Sequence, residues 1–288
     1  YAATDALDRS AFKAYVASRD LPTEFPRALG FGFIRRLERH NLDSFEDAAR
    51  ADGAPEFHVH RYSNGDMIGD ASDLLIIEYI YPRERNLGAE GLDIGSERVR
   101  RDAAEHAIRT GEPTISGCVK LVQDELQRVG FLYFLPVYKN GTRPATPAER
   151  EKTLVGILYA PILLEEALQG IFEAAKGGID FELFDGEQLS SANKLFDFDG
   201  HLSSDDESVT NTDYDDRMFC RRSLIRVGGR IWTVVTSSKP VFERSIDYST
   251  PITLGIAGVL LSCGLSVLVW NMGLRERRAT ILATEMTA

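Results

Sequence analysis

The chain has 288 residues, 43% hydrophobic and 27% charged, with a formal charge of −11. That length and apolar content support a buried core, in one large domain or two small ones, and exclude a disordered chain. The acidic balance without a basic patch excludes nucleic acid as a partner, because neutralising phosphates needs clustered Lys and Arg.

Residues 2–20, AATDALDRSAFKAYVASRD, hold no Gly or Pro, and Ala3, Leu7, Ala11 and Ala14 or Tyr15 are spaced for one helical face. A stalk helix is predicted, with residues 1–24 assigned to it; Pro22 and Pro26 end it. A second helix is predicted through ALGFGFIRRLERH, and a third over LDSFEDAARADG, capped by Asp43 or Ser44 and closed by Gly53. Strands follow at 56–62, 73–82, 113–122, 130–138 and 154–161, each short and rich in β-branched or aromatic residues. Between the second and third, GSERVRRDAAEHAIRTG reads as a helix with Ser96 as N-cap and Gly111 at its stop. The order predicts an antiparallel sheet with helices packed on it, an α+β layout.

An amphipathic helix over 162–178 ends in Gly177-Gly178, and a domain boundary is placed there, dividing 25–176 from 177–248. The second part has predicted strands at 179–186, 218–229 and 230–239, the last two joined through Gly228-Gly229 in a hairpin. Residues 197–216 suggest calcium by their carboxylates but fail the EF-hand pattern, and they read as a solvated acidic loop, with a bound cation as the alternative. Residues 251–272, PITLGIAGVLLSCGLSVLVWNM, carry no charge and would rise roughly 33 Å as a helix, enough to span a bilayer. Trp270 sits at one end, and Arg275, Arg277 and Arg278 place that end, with residues 273–288, in the cytoplasm. Residues 1–248 are then expected outside, periplasmic or extracellular, with an export signal or span upstream of Tyr1 and an effector downstream of Ala288.

A pass for catalytic signatures finds no phosphate loop with its Lys, no HExxH and no GxSxG, so no catalytic residue, cofactor or metal is assigned and no enzymatic activity is expected of these residues. His58 and His60 share a strand face without a third ligand. Cys118 and Cys220 permit a disulfide without indicating one, and Asn140-Gly141-Thr142 is a glycosylation sequon only in a eukaryotic secretory pathway. Glu78 lies within an apolar strand and is either a ligand group or an internally paired charge. In GFLYFLPVY, Phe131 and Tyr133 share one strand face and Leu132 and Phe134 the other, so one pair faces any cavity and either pair can serve as core.

FPRALGFGF (25–33), IIEYIYPRERN (76–86), GLDIGSERVRRDAAEHAIRTGEPTIS (91–116), GFLYFLPVYKNG (130–141) and LVGILYAP (154–161), in this order and spacing, resemble the CHASE domains, the sensory extracellular domains associated with cyclases and histidine kinases. The resemblance implies a long stalk helix, two PAS-like subdomains with the ligand pocket in the membrane-distal one, and a homodimer formed through the stalk. It also implies a site. The plant cytokinin-receptor branch binds a purine-type ring with a carboxylate near this motif, and Glu78 is the nearest acidic residue. Ser116 falls at a hydroxyl position important for ligand binding, and Val119 and Lys120 occupy the positions of a pocket-lining aromatic and arginine. Phe134 replaces a smaller polar residue, and Phe131, Tyr133 and Leu135 complete the expected pocket wall.

The expected function is a small-molecule sensor, for a purine or cytokinin-like ligand, of a transmembrane receptor whose effector is a histidine kinase. The alternatives are a diguanylate or adenylate cyclase as effector, or a membrane-anchored protein-binding module. Dimerisation is expected through the stalk and the transmembrane helix, where Gly255 and Gly258 leave room for close approach at a spacing one residue short of small-xxx-small.

Overall fold

The structure is a computed structural model that describes residues 7–19, 23, 25, 28–63, 65–122, 128–175, 177–202 and 214–286. Residues 1–239 form one compact unit and 240–288 another. In chain order the first unit begins with α1 (Arg9–Ala17), β1 (Phe31–Glu38), α2 (Leu42–Ala51), β2 (His60–Arg61), β3 (Asp73–Tyr81), β4 (Leu92–Asp93) and α3 (Arg98–Thr110). It continues with β5 (Thr114–Ile115), β6 (Val119–Lys120), β7 (Val129–Tyr138), α4 (Pro147–Thr153), β8 (Leu154–Leu163) and α5 (Leu164–Ala175). The last part holds β9 (Ile179–Asp185), β10 (Lys194–Asp197), β11 (Cys220–Val227) and β12 (Arg230–Ser238).

The first eight strands make one sheet in the order β2-β4-β3-β1-β8-β7-β5, with β6 also on β7, antiparallel except for β2 and β4. The other four make a second, fully antiparallel sheet in the order β10-β9-β12-β11. This is the expected α+β class. Of the predicted stalk, the described part is the nine-residue α1, whose Phe12 and Val16 are buried against Phe33 and Tyr79 of the large sheet.

The predicted helix through ALGFGFIRRLERH is corrected to a strand. Its residues form β1, a central strand bonded to both β3 and β8. Gly32 shows why sheet wins there: a Cβ at that position would lie 2.1 Å from Cε1 of Tyr159 and 2.7 Å from the carbonyl of Tyr79, so the register requires glycine between its two neighbours. Glycine also lowers helix propensity, and the long-range pairing decides the conformation. β10 was not foreseen, and the strand predicted over 113–122 is broken between β5 and β6.

α3 lies on the large sheet with Ala104, Ala107 and Ile108 buried in a cluster that also holds Ile34, Leu75, Phe134 and Tyr159. Its cap is Glu97 rather than Ser96: the Glu97 carboxylate accepts from the amides of Val99 and Arg100, both at 3.1 Å. The Ser96 hydroxyl instead donates to the carbonyl of Asp93 at 2.6 Å. Gly111 closes the helix in the left-handed region, as the sequence predicts. Arg100 reaches the carbonyl of Lys120 at 2.8 Å and stacks on Tyr62, fixing β6 to α3.

The two sheets meet through a second apolar cluster. Ile115, Phe131, Leu164 and Leu168 from the large sheet and α5 pack on Phe181, Leu183 and Trp232 of the small one, with Phe131 edge-on to Trp232 at 5.7 Å between centroids. Burial of each aromatic side chain is worth about 2–3 kcal/mol, so this contact is a substantial part of the join. The backbone adds a bond, from the amide of Ile115 to the carbonyl of Gly228 at 2.9 Å, where the β11–β12 hairpin turn meets β5.

The second unit contains α6 (Pro240–Ser245) and α7 (Ser249–Met286), a continuous helix of 38 residues. Residues Ser249–Arg275 have a mean hydropathy of 2.3, the one stretch among the described residues long and apolar enough to cross a membrane.

Candidate functional site

The eight residues singled out from sequence do not converge on one surface of the large sheet. Glu78 is the extra residue of a β-bulge, since Phe33 pairs with Tyr79 and Ile34 with Ile77. Its buried carboxylate accepts from Nε and Nη2 of Arg35, both at 2.8 Å, so its charge is internally paired. Val119 and Phe134 lie in the cluster beneath α3. Phe131 and Tyr133 face the contact with the small sheet. Leu135 is half-buried on β7 and Lys120 is exposed.

Ser116 is fully buried between β5 and β6. Its Oγ donates to the carbonyl of Gly117 at 2.6 Å and accepts from the amide of Leu132 at 2.9 Å, while its own amide donates to the carbonyl of Leu132. A serine here fastens the 114–118 segment to β7, because a hydroxyl can satisfy a donor and an acceptor at once.

That segment forms one wall of a cleft of about 490 Å³ between the two sheets, within the range of small-molecule sites. A second wall is α3, which presents Val99, Asp102, Ala103 and His106 at the spacing of one helical face. The third comes from the small sheet, with Asp185, Asn193, Leu195 and Arg230. None of the eight sequence-predicted residues lines the cleft, but Ser116 holds its floor, with Ile115 and Gly117 on either side.

The cleft can recognise both charges. Arg230 Nε donates to Asp185 Oδ1 at 3.1 Å, and both side chains keep part of their surface in solvent. A guanidinium held in this way keeps donors for a carboxylate or a ring nitrogen, and Asp102 offers an acceptor on the facing wall. Cys118 also lines the cleft; burial, with the Asp185 charge, pushes its thiol up to about 11 against the influence of Arg230. Gly117 keeps the space open, since a Cβ there would come within 2.9 Å of Val99 and 3.7 Å of Arg230. These residues escaped the sequence reading because the cleft joins residues 99–118 to residues 185–230, nearly seventy positions further along the chain. The only local signals were charges flanking the turns at Gly186 and Gly228-Gly229. Cys118 and Cys220 are both free thiols.

Two linked α+β layers hold a mixed polar and apolar cleft between them, and one long apolar helix follows in the chain. The CHASE domain model matches residues 5–196, and the chain belongs to the CHASE-domain family; it is the extracellular sensory part of a signalling receptor. The match starts before and ends beyond the motifs legible in the sequence.

No curated protein matches the chain. The solved structures similar to it include the following three. One is an extracellular ligand binding receptor from Desulfohalobium retbaense, at 9% identity and TM-score 0.42, over 75% of this chain and 31% of that one. Another is the periplasmic sensory domain of the Campylobacter jejuni chemoreceptor Tlp1, at 9% identity and TM-score 0.45, over 83% and 81%. The third is the ligand binding domain of the Pseudomonas aeruginosa amino acid chemoreceptor PctB in complex with L-Arg, at 11% identity and TM-score 0.36, over 82% and 81%. The chain spans less than a third of the first of these, and at such identities none of them defines the site.

Proposed function

We propose that this chain binds a small organic molecule in the cleft between its two sheets and passes the event through a transmembrane helix to a cytoplasmic histidine kinase. The observation that carries the proposal is the CHASE match joined, in one chain, to an apolar helix that runs on without a break past Arg275. Residues 25–176 form the membrane-distal PAS-like subdomain and 177–248 the proximal one, with residues 1–24 as a stalk. The arginines at 275, 277 and 278 set the orientation, with the sheets outside. Two such chains pair through the stalk and the transmembrane helix.

A purine or cytokinin-like molecule suits the cleft, because a planar ring can lie against Val99 and Ile115 while Asp102, Asn193 and Arg230 meet its polar edge. Ser116, Val119, Lys120 and the Phe131–Leu135 stretch then act by shaping the wall from behind. Binding changes the output only if the two signalling states hold the ligand with different affinity.

The test is a thermal-shift screen of the detergent-solubilised chain against purines, amino acids and organic acids, repeated on Ala192→Trp and Arg230→Met. Ala192 is an exposed residue on the cleft rim, so tryptophan there fills the cleft without disturbing a core. A hit is expected to stabilise the parent chain and neither variant. A hit that stabilises both variants as well places the site elsewhere.

A further inference from the structure

We propose that the small sheet holds one divalent metal ion of the zinc or manganese class, ligated by Asp180 and Glu182 of β9 and by Asp199 and His201 of the segment after β10, with Asp197 at the edge of the site.

Along β9 the side chains alternate, so Phe181 and Leu183 face the apolar contact with the large sheet and Asp180 and Glu182 share the opposite face. Both carboxylates are completely buried. β10 pairs with β9 so that Asp197 stands opposite Glu182, and the chain then turns through Gly200, bringing Asp199 and His201 over the same spot. The Asp197 carboxylate holds this turn, accepting from the amides of Gly200 at 2.8 Å and Leu202 at 3.1 Å. Residues 197–202 were read from sequence as part of a solvated loop; the structure folds them onto two buried carboxylates instead. The rest of that acidic stretch, 203–213, lies outside the described residues.

The second observation is the set of open valences. Oδ2 of Asp180 and Oε1 of Glu182 are buried with no hydrogen-bond partner among the described residues, and the His201 nitrogen that faces both is Nδ1. The other oxygens are engaged: Asp180 Oδ1 accepts from the amide of Phe181 at 3.0 Å, and Glu182 Oε2 from the hydroxyl of Tyr214 at 3.1 Å. The nearest cations to the open oxygens stand off. His201 Nδ1 is 3.5 Å from Asp180 and 3.6 Å from Glu182, and Arg217 is 3.5 Å from Asp180. Buried carboxylate oxygens at such distances are costly unless something binds them.

Candidate ligand atoms of Asp180, Asp199 and His201 all lie within 4.8 Å of one another, and so do those of Glu182, Asp197 and His201. Ligand atoms bonded to one ion at about 2.1 Å stand about 3.4 Å apart in a tetrahedral shell and about 4.2 Å apart across an octahedral one, so the groups draw in toward the ion to complete the shell. Charge points the same way. Four carboxylates against Arg217 and Lys194, which pair with Asp199 and Asp197, leave two negative charges for a dication. The imidazole favours zinc over calcium and magnesium, which take oxygen ligands, and the carboxylates also suit manganese. The proposal is independent of the ligand cleft.

The experiment strips the full chain in detergent with EDTA, then measures zinc and manganese uptake by equilibrium dialysis with elemental analysis, and thermal unfolding with and without each ion. The parent chain is expected to hold about one ion per chain and to melt higher with it. Asp180→Asn, Glu182→Gln and His201→Ala are each expected to weaken binding by on the order of 100-fold or more. The Asn and Gln variants remove buried like charge, so they should fold and melt at or above the stripped parent while losing the response to metal. A parent chain that retains neither ion, or variants that bind it as tightly as the parent, overturns the proposal.

Discussion

Replacing Glu78 separates a ligand group from a structural one. In the structure its carboxylate accepts two bonds from Arg35, with 11% of the glutamate side chain and 26% of the arginine side chain exposed. Fully buried pairs cost about 3–5 kcal/mol when one partner is removed, and a bond to a charged group is worth about 1.5–3. Arg35 keeps its bond to the carbonyl of Val155, its contact over the Phe33 ring and some water, which points to the lower range. Glu78→Met is therefore expected to destabilise the chain by about 2–3 kcal/mol, Arg35→Met by a similar amount, and the double variant by no more than either alone. Urea unfolding followed by Trp232 fluorescence, in a Trp270→Phe background, measures this cycle. Additivity to within about 0.5 kcal/mol would refute the reasoning, as would a Glu78→Met chain of unchanged stability that no longer responds to a ligand.

Ser116→Ala leaves the Leu132 amide without its hydroxyl acceptor and should cost about 1–3 kcal/mol; unchanged stability in the same assay would mean the wall of the cleft is not fastened there. Trp232→Ala should cost about 3–5 kcal/mol and make the small sheet exchange its amide hydrogens earlier than the large one, whereas uniform exchange would show the two sheets do not rely on that contact. With its thiol at about 11, Cys118 should be alkylated at pH 8 on the order of 100-fold more slowly than a free cysteine, with the rate climbing until the pH approaches 11. A plateau near pH 9 would contradict that burial. Single cysteines at Ser245 and Thr280 should label from opposite sides of a sealed membrane, and labelling from one side would remove the span.

Much of the fold was legible because it rests on local chemistry. Short runs rich in β-branched and aromatic residues gave β3, β7, β8, β9 and the β11–β12 hairpin, and Gly53 and Gly111 marked the helix stops at the positive-φ positions where the structure has them. β1 was misread since its conformation is dictated by two neighbours, β3 and β8, that no window on residues 28–40 can see. The candidate site was less legible for a related reason. Alternation on β7 says that Phe131 and Phe134 face opposite ways, yet not that one meets Trp232 and the other Ala104 and Ile108. The two charged groups that pair on the small-sheet wall of the cleft, Asp185 and Arg230, are 45 positions apart and each looks like an ordinary turn-flanking charge.

Arg230 opens β12, and β12 closes at Ser238, one residue before the end of the compact unit. The nine-residue strand, about 30 Å long, links a cleft-lining side chain to the segment leading to α7. β12 is bonded along both edges, to β9 and β11. A strand held in this way can neither stretch nor buckle cheaply, so a tug on the guanidinium at one end travels as a shift of the whole strand. The small sheet is in that sense a push-rod guided on both sides, and its stroke is limited by the give of the contacts around Phe131 and Trp232.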